Sequence, residues 1–181
     1  MFTNPVINSI MEKEGHYVDH PHDMGGPTCW GITEQVARKH GYMGDMKDLS
    51  KEKAYLILED DYWRKPGFDK VHDVAPILAL ELCDTGTNTG PALPIKWLQR
   101  WLNAYNNQQK YYADIAVDGV LGKKSLSALT SFLKKRAPHG ENALITSLNC
   151  SQGNYYLELV EKREKNEAFI YGWITTRVAL I

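Results

Sequence analysis

The chain has 181 residues, 43% of them hydrophobic, and a formal net charge of -1, enough apolar material for one substantial core without staples. No run of eighteen apolar residues occurs, which excludes a spanning helix, and "MFTNPVINSIMEKEG" lacks the basic start and apolar stretch of a signal peptide. The near-neutral total hides a division: residues 1 to 90 carry nine Lys/Arg against fifteen Asp/Glu, and residues 91 to 181 twelve against seven. A basic second half suits either an anionic polymer, such as cell wall or nucleic acid, or attraction between the two halves.

In chain order, "TNPVINSIMEKEG" reads as a short helix with Thr3 or Asn4 as cap, Pro5 in its first position and Gly15 after its last turn. Its apolar stripe is Ile7, Ile10 and Met11, and Glu14 falls on the same face. A carboxyl leaning on apolar surface loses hydration and keeps its proton closer to neutrality. Residues 15 to 32, rich in Gly and Pro, read as turns with a small antiparallel hairpin, and strand content is expected to end there. Helices are expected from a Thr33 cap to Gly41 and from Ser50 to Pro66-Gly67. "DVAPILALELCDTG" and "TGPALPIKWLQRWLNAY" form an apolar pair expected to be the central core, with Trp97 and Trp101 inside it. After a polar connection at 106 to 116, a tight turn at Asp118-Gly119 leads into a helix. The last helical run, Glu141 to about Arg177, is expected to break near Gly153 and Gly172.

Cys29, Cys83 and Cys150 lie in no zinc-ligand spacing and read as free thiols. The stretch "EKEGHYVDHPHDMGGPTCWGIT" at 12 to 33 concentrates the chemistry. Three readings fit it. His16, His20 and His22 with Asp19 or Asp23 could ligate zinc, although Gly15 and Pro21 interrupt the helix that an i, i+4 histidine pair needs. Glu14, Asp23 and Thr28 could face one cleft as an acid and an ionised partner working on a glycosidic bond. Or the stretch only shapes a binding surface.

The residues Glu14, Gly15, Tyr17, Pro21, Asp23, Gly25, Gly26, Thr28, Gly31, Ile32 and Thr33 resemble the opening signature of the glycoside hydrolase 108 family of N-acetylmuramidases from phages and prophages. His16 stands where the family has a second glycine, and His20 intervenes after Asp19. The likeness runs on through Tyr62-Trp63, and "DTGTNTGPALPIKWLQRWLN", "VDGVLGKKSLSAL" and "FIYGWITTR" are similar to a C-terminal peptidoglycan-binding region.

The resemblance implies a mainly α, lysozyme-like fold with a small β-hairpin or turn region near residues 16 to 33. Residues 1 to 90 would be the catalytic part, and residues 91 to 181 a helical part integrated into the same globule. It implies hydrolysis of the β-1,4 bond between N-acetylmuramic acid and N-acetylglucosamine, with Glu14 as catalytic acid, Asp23 as second carboxylate and Thr28 assisting. Tyr17, Asp19, Trp30, Tyr62 and Trp63 would bind sugar, because aromatic faces complement the CH faces of pyranoses. No cofactor and no metal are expected. The partner would be peptidoglycan glycan strands, with no nucleic acid and no stable membrane insertion. The chain would be a monomer stored in the cytoplasm and released to the wall by a holin or equivalent, to lyse the host.

Overall fold

The computed structural model describes residues 4–14, 17–18 and 27–178, with side chains for all of these but Lys13, Glu14 and Val18. It is mainly α, with one small antiparallel sheet, as the sequence implies. Packing divides the chain into two compact units, Met1–Lys65 and Pro66–Ile181. That division falls before the apolar helix at 76–89, whereas the expected division of labour falls at 90/91.

In the first unit, α1 (Pro5–Glu14) is capped by Asn4, whose Oδ1 accepts from the amides of Val6 and Ile7 at 3.0 and 3.3 Å. Ile7 and Met11 are buried, and α1 packs on α3 (Lys51–Glu59), with the Asn4 amide donating to the Tyr55 hydroxyl at 3.0 Å. The sheet follows: β1 (Tyr17–Val18), β2 (Thr28–Cys29) and β3 (Ile32–Thr33), in that order. Trp30 and Gly31 form the two-residue β2–β3 loop with φ of +54° and +77°, the left-handed pair that matches strand twist. Thr33 then caps α2 (Glu34–Lys39), accepting from Val36, and Ser50 caps α3 by accepting from Lys53. A π-helical turn, Asp60–Arg64, prolongs α3.

The second unit is built around α5 (Pro76–Thr89), against which α4 (Phe68–His72), α6 (Ala92–Tyr105) and α8 (Gly140–Lys162) pack. Leu78, Ala79, Leu82 and Cys83 of α5 are fully buried, with Leu98 and Leu102 of α6 and Leu144 of α8. This is the apolar pair the sequence marks as core. The first turn of α5 has no local side-chain cap; instead Glu141 of α8 accepts from the amides of Ile77 and Leu78 at 2.8 and 3.0 Å.

The Asp118-Gly119 turn leads into α7 (Lys123–Lys135) and is read out by the fully buried Gln99. The Gln99 Oε1 accepts from the Gly119 amide at 2.9 Å, and its Nε2 lies 2.8 Å from Asp118, 3.1 Å from the Val120 carbonyl and 3.1 Å from Ser125. These bonds from Gln99 and the Val120 amide hold the Asp118 carboxyl below its ordinary range.

The last helical run differs from expectation. Gly153 and Gly172 do not interrupt it; α8 runs through the former, and α9 (Glu167–Arg177) through the latter. Packing of α8 through Leu148, Gln152 and Tyr156 overrides the low helix propensity of a single glycine. The break comes instead at Arg163, whose extended backbone precedes one 3-10 turn, and α9 returns to α5 through an Arg177–Asp84 ion pair of 2.9 Å.

Candidate functional site

The sheet and the ends of α1 and α3 carry the candidate residues of the first unit. Glu14 is the last residue of α1, one residue pair before β1, so its place at a helix C-terminus is fixed by the backbone. Its side chain, Asp19 and Asp23 lie outside the described residues, as do His16, His20 and His22 of the zinc reading.

Register decides which of the others share a face. Tyr17 pairs with Cys29, and Cys29 with Ile32, so these three side chains lie on one face, where Cys29 and Ile32 are buried. Thr28 and Thr33 take the other face. Tyr17 and Thr28, both half-buried, therefore do not stand side by side.

Trp30 sits in the β2–β3 loop rather than on a strand. A tryptophan in the left-handed region is strained, and its indole N–H donates to the Leu49 carbonyl at 3.0 Å, which holds it there. The Lys51 ammonium lies 5.7 Å from the ring centroid. What Trp30 can offer a sugar is thus ring surface and not its N–H. Tyr62 and Trp63 are half-buried in the π-helical turn that ends α3. Within the same segment Arg64 donates twice to Glu59, at 3.1 and 2.8 Å, and Tyr55 bonds the other oxygen of that carboxylate.

Among the described residues, one group has the composition of a metal site: His40, Asp60 and Asp61, with ligand atoms within 4.8 Å of one another. Sequence reasoning passed it over because twenty residues separate its halves. The cation there is already protein. The Lys65 ammonium lies 2.9 Å from Asp60 and 2.7 Å from Asp61, while His40 Nε2 stands 3.0 Å from Asp61. Burial pushes the Asp61 carboxyl up, but its bonds to Lys65 and His40 outweigh this and hold it below its ordinary range. The two carboxylates raise Lys65 in turn. The cluster is a closed ion-pair network that fastens α2 to the end of α3.

In the second unit the sequence places Trp97 and Trp101 in the core. Trp97 is buried, but Trp101 is half-buried, donates its N–H to Ser151 of α8 at 2.9 Å and stacks on Tyr105 at 5.7 Å. No described helix is long and apolar enough to cross a membrane.

Glu14 thus ends a helix directly before a small sheet in a mainly α chain, and the class of protein comes from the families that the chain matches. The comparisons make this specific. Residues 7–90 match the family described as glycosyl hydrolase 108, and residues 93–178 match the family described as a predicted peptidoglycan domain. The resemblance seen in the sequence thus holds over both halves. The structure of Brucella abortus SagA is similar over 96% of this chain and 87% of that one, at 28% identity and a TM-score of 0.63. No curated protein matches the chain. A glycoside hydrolase family joined to a peptidoglycan family supports a peptidoglycan hydrolase.

Proposed function

We propose that the protein is an N-acetylmuramidase that cleaves the β-1,4 bond between N-acetylmuramic acid and N-acetylglucosamine. The observation that carries this reading is the glycosyl hydrolase 108 match over residues 7–90, in which Glu14 ends α1 directly before the sheet that holds Thr28.

Glu14 is the general acid. The carbonyl dipoles that converge on a helix C-terminus oppose a negative charge there by about 0.3 to 1 kcal/mol, and so favour the protonated carboxyl that the step needs. Its proton goes to the glycosidic oxygen, which leaves as the 4-hydroxyl of N-acetylglucosamine. Asp23, with Asp19 as the alternative, stays ionised and takes a proton from the water that attacks C1 of the muramic acid. Thr28 assists in placing that water. Tyr62, Trp63 and Trp30 supply ring surface to the sugars, while Tyr17, on the opposite sheet face from Thr28, supports the sheet from its buried side. The biological reading that fits this activity is a phage-type endolysin: a monomer made in the cytoplasm, passed to the wall through a holin or equivalent, and acting there to lyse the host.

Mass spectrometry of digested peptidoglycan tests the reading with wild type beside Glu14→Gln. Wild type should create new reducing ends at N-acetylmuramic acid, without dependence on a chelator, and a folded Glu14→Gln should lose at least about a hundredfold in rate. Anhydro-muramic ends, released stem peptides, or full activity of the folded amide variant would each overturn it.

A further inference from the structure

A groove in the second unit has the make-up of a saccharide site, and nothing in the chemistry assigned to Glu14 uses it. It runs between α6 and α8 and encloses about 360 Å³, with an adjoining hollow of about 160 Å³ that shares Trp97, Arg100, Trp101 and Ser151. The larger volume is in the range of pockets that take a small ligand, about 300 to 1,000 Å³. Helical spacing builds it: Trp97, Arg100 and Trp101 project from one side of α6, and Ser151, Asn154 and Tyr155 from the facing side of α8.

Trp97 is the floor, only 6% exposed, and meets Tyr155 edge-on at 5.7 Å. Trp101 and Tyr155 are half-buried and present the ring surface. The Trp101–Ser151 bond ties the two walls, so the aromatic surface is held in place before any ligand arrives. Asn154 spends one amide hydrogen on Glu158, at 2.8 Å, and keeps its carbonyl oxygen available to a hydroxyl or amide donor.

Arg100 distinguishes this groove from ordinary helix packing. It is exposed at the rim and makes no hydrogen bond or ion pair with any described residue, and the acidic side chain that lines the same groove, Glu158, is engaged instead by Asn154 at 2.8 Å and Lys162 at 3.7 Å. A fixed aromatic floor, amide and hydroxyl groups at the side, and a lone guanidinium at the rim together fit a saccharide that carries a carboxylate. Peptidoglycan offers one such unit, the N-acetylmuramyl residue with its acidic stem peptide, and residues 93–178, which contain the whole groove, match a predicted peptidoglycan domain.

We infer that the α6–α8 groove is a second, non-hydrolytic binding site for peptidoglycan, in which Trp101 and Tyr155 hold the sugar face and Arg100 pairs with the carboxylate of the muramyl peptide. The inference rests on peptidoglycan being the substrate, but not on Glu14 being the acid. The site would hold the enzyme on the glycan between cleavages.

Cys150 supplies the reporter, because it is exposed and lines the groove while Cys29 and Cys83 are buried. The experiment follows modification of Cys150 by a thiol reagent in the full-length Glu14→Gln protein, with and without N-acetylglucosaminyl-N-acetylmuramyl tetrapeptide, and repeats it with Arg100→Met added. Saturating fragment should slow the Cys150 reaction, and Arg100→Met, being at an exposed position, should keep the fold and weaken fragment binding about tenfold, the loss of one charge-assisted bond. A neutral chitin tetrasaccharide should bind both proteins alike. Unchanged Cys150 reactivity at saturating fragment, or equal fragment affinity with and without Arg100, would overturn the inference. Peptidoglycan cleavage by the wild-type chain, measured on the same preparation, is read separately and keeps failure of the groove distinct from failure of the muramidase reading.

Discussion

Glu81 is a carboxylate in an unfavourable place. It sits on α5 between the buried Ala79 and Leu82, is itself mostly withdrawn from water, and has no hydrogen-bond partner among the described residues. Burial, and secondarily the charge of Asp84, push its pKa from 4.5 to about 7. A raised carboxyl pKa means that the folded state prefers the proton. Folding is therefore undisturbed at pH below the unfolded value, and stability falls as pH rises through the window between 4.5 and about 7. The full cost above that window is about 3 kcal/mol, from two and a half pKa units at about 1.4 kcal/mol each. Replacing Glu81 by Gln removes the charge and keeps the shape. Urea denaturation of both proteins from pH 4 to pH 8 should show curves that coincide near pH 4. The variant should be more stable by about 2 kcal/mol at pH 6 and about 3 kcal/mol at pH 8. A stability difference that does not change with pH, or a variant less stable at pH 8, would refute the reasoning.

Three further expectations test other parts of the structure. Burial, aided by the charge of Asp84, pushes the Cys83 thiol up to about 12, and burial raises Cys29, so titration with a thiol reagent should find one reactive group in the native protein, Cys150, and three in denaturant. Gln99→Leu should cost about 2 to 4 kcal/mol in a denaturant titration, because it strands the Gly119 amide and removes the bonds from Gln99 to Asp118, Val120 and Ser125 that brace the turn. Gly119→Ala should be destabilising by about 1 to 3 kcal/mol in the same assay, since φ is +80° there and a Cβ would stand 3.0 Å from the Ala92 carbonyl.

What could be read in the sequence was what neighbouring residues settle among themselves. Asn4, Thr33 and Ser50 announce their helices because a cap bonds an amide two or three residues on, so the signal lies within one turn of chain. The α5–α6 core was legible for the same reason, as an unbroken apolar period. Features settled by distant partners were not. Trp30 takes a backbone conformation foreign to its residue type because the Leu49 carbonyl, nineteen residues on, holds its indole. Gly153 does not break α8 because packing compensates, and no local rule weighs packing. At the candidate site the residue types were legible and the faces were not: the sheet register separates Tyr17 from Thr28, and register is a pairing between strands ten residues apart. Arg100 and Gln99 were invisible as singular residues, since what sets one apart is a missing partner and what sets the other apart is four partners nineteen or more residues away.

The two divisions of the chain then have a physical consequence. By family the first half ends at residue 90, after α5, yet α5 buries Leu78, Leu82 and Cys83 completely and packs against α6 and α8, which lie beyond that point. Its first turn is capped by Glu141, from beyond it as well. A fragment of residues 1 to 90 would expose that face, at about 1.5 to 3 kcal/mol for each large side chain returned to water, and would leave two α5 amides uncapped. The sum is comparable to the whole stability of an ordinary domain, about 5 to 15 kcal/mol. The hydrolase half should therefore fail to fold by itself: residues 1 to 90 should lack a cooperative thermal transition and should not cleave peptidoglycan, while the full chain does both. A cooperatively folded, active fragment would show that α5 can be satisfied without the helices that follow it, and that the second half serves binding alone.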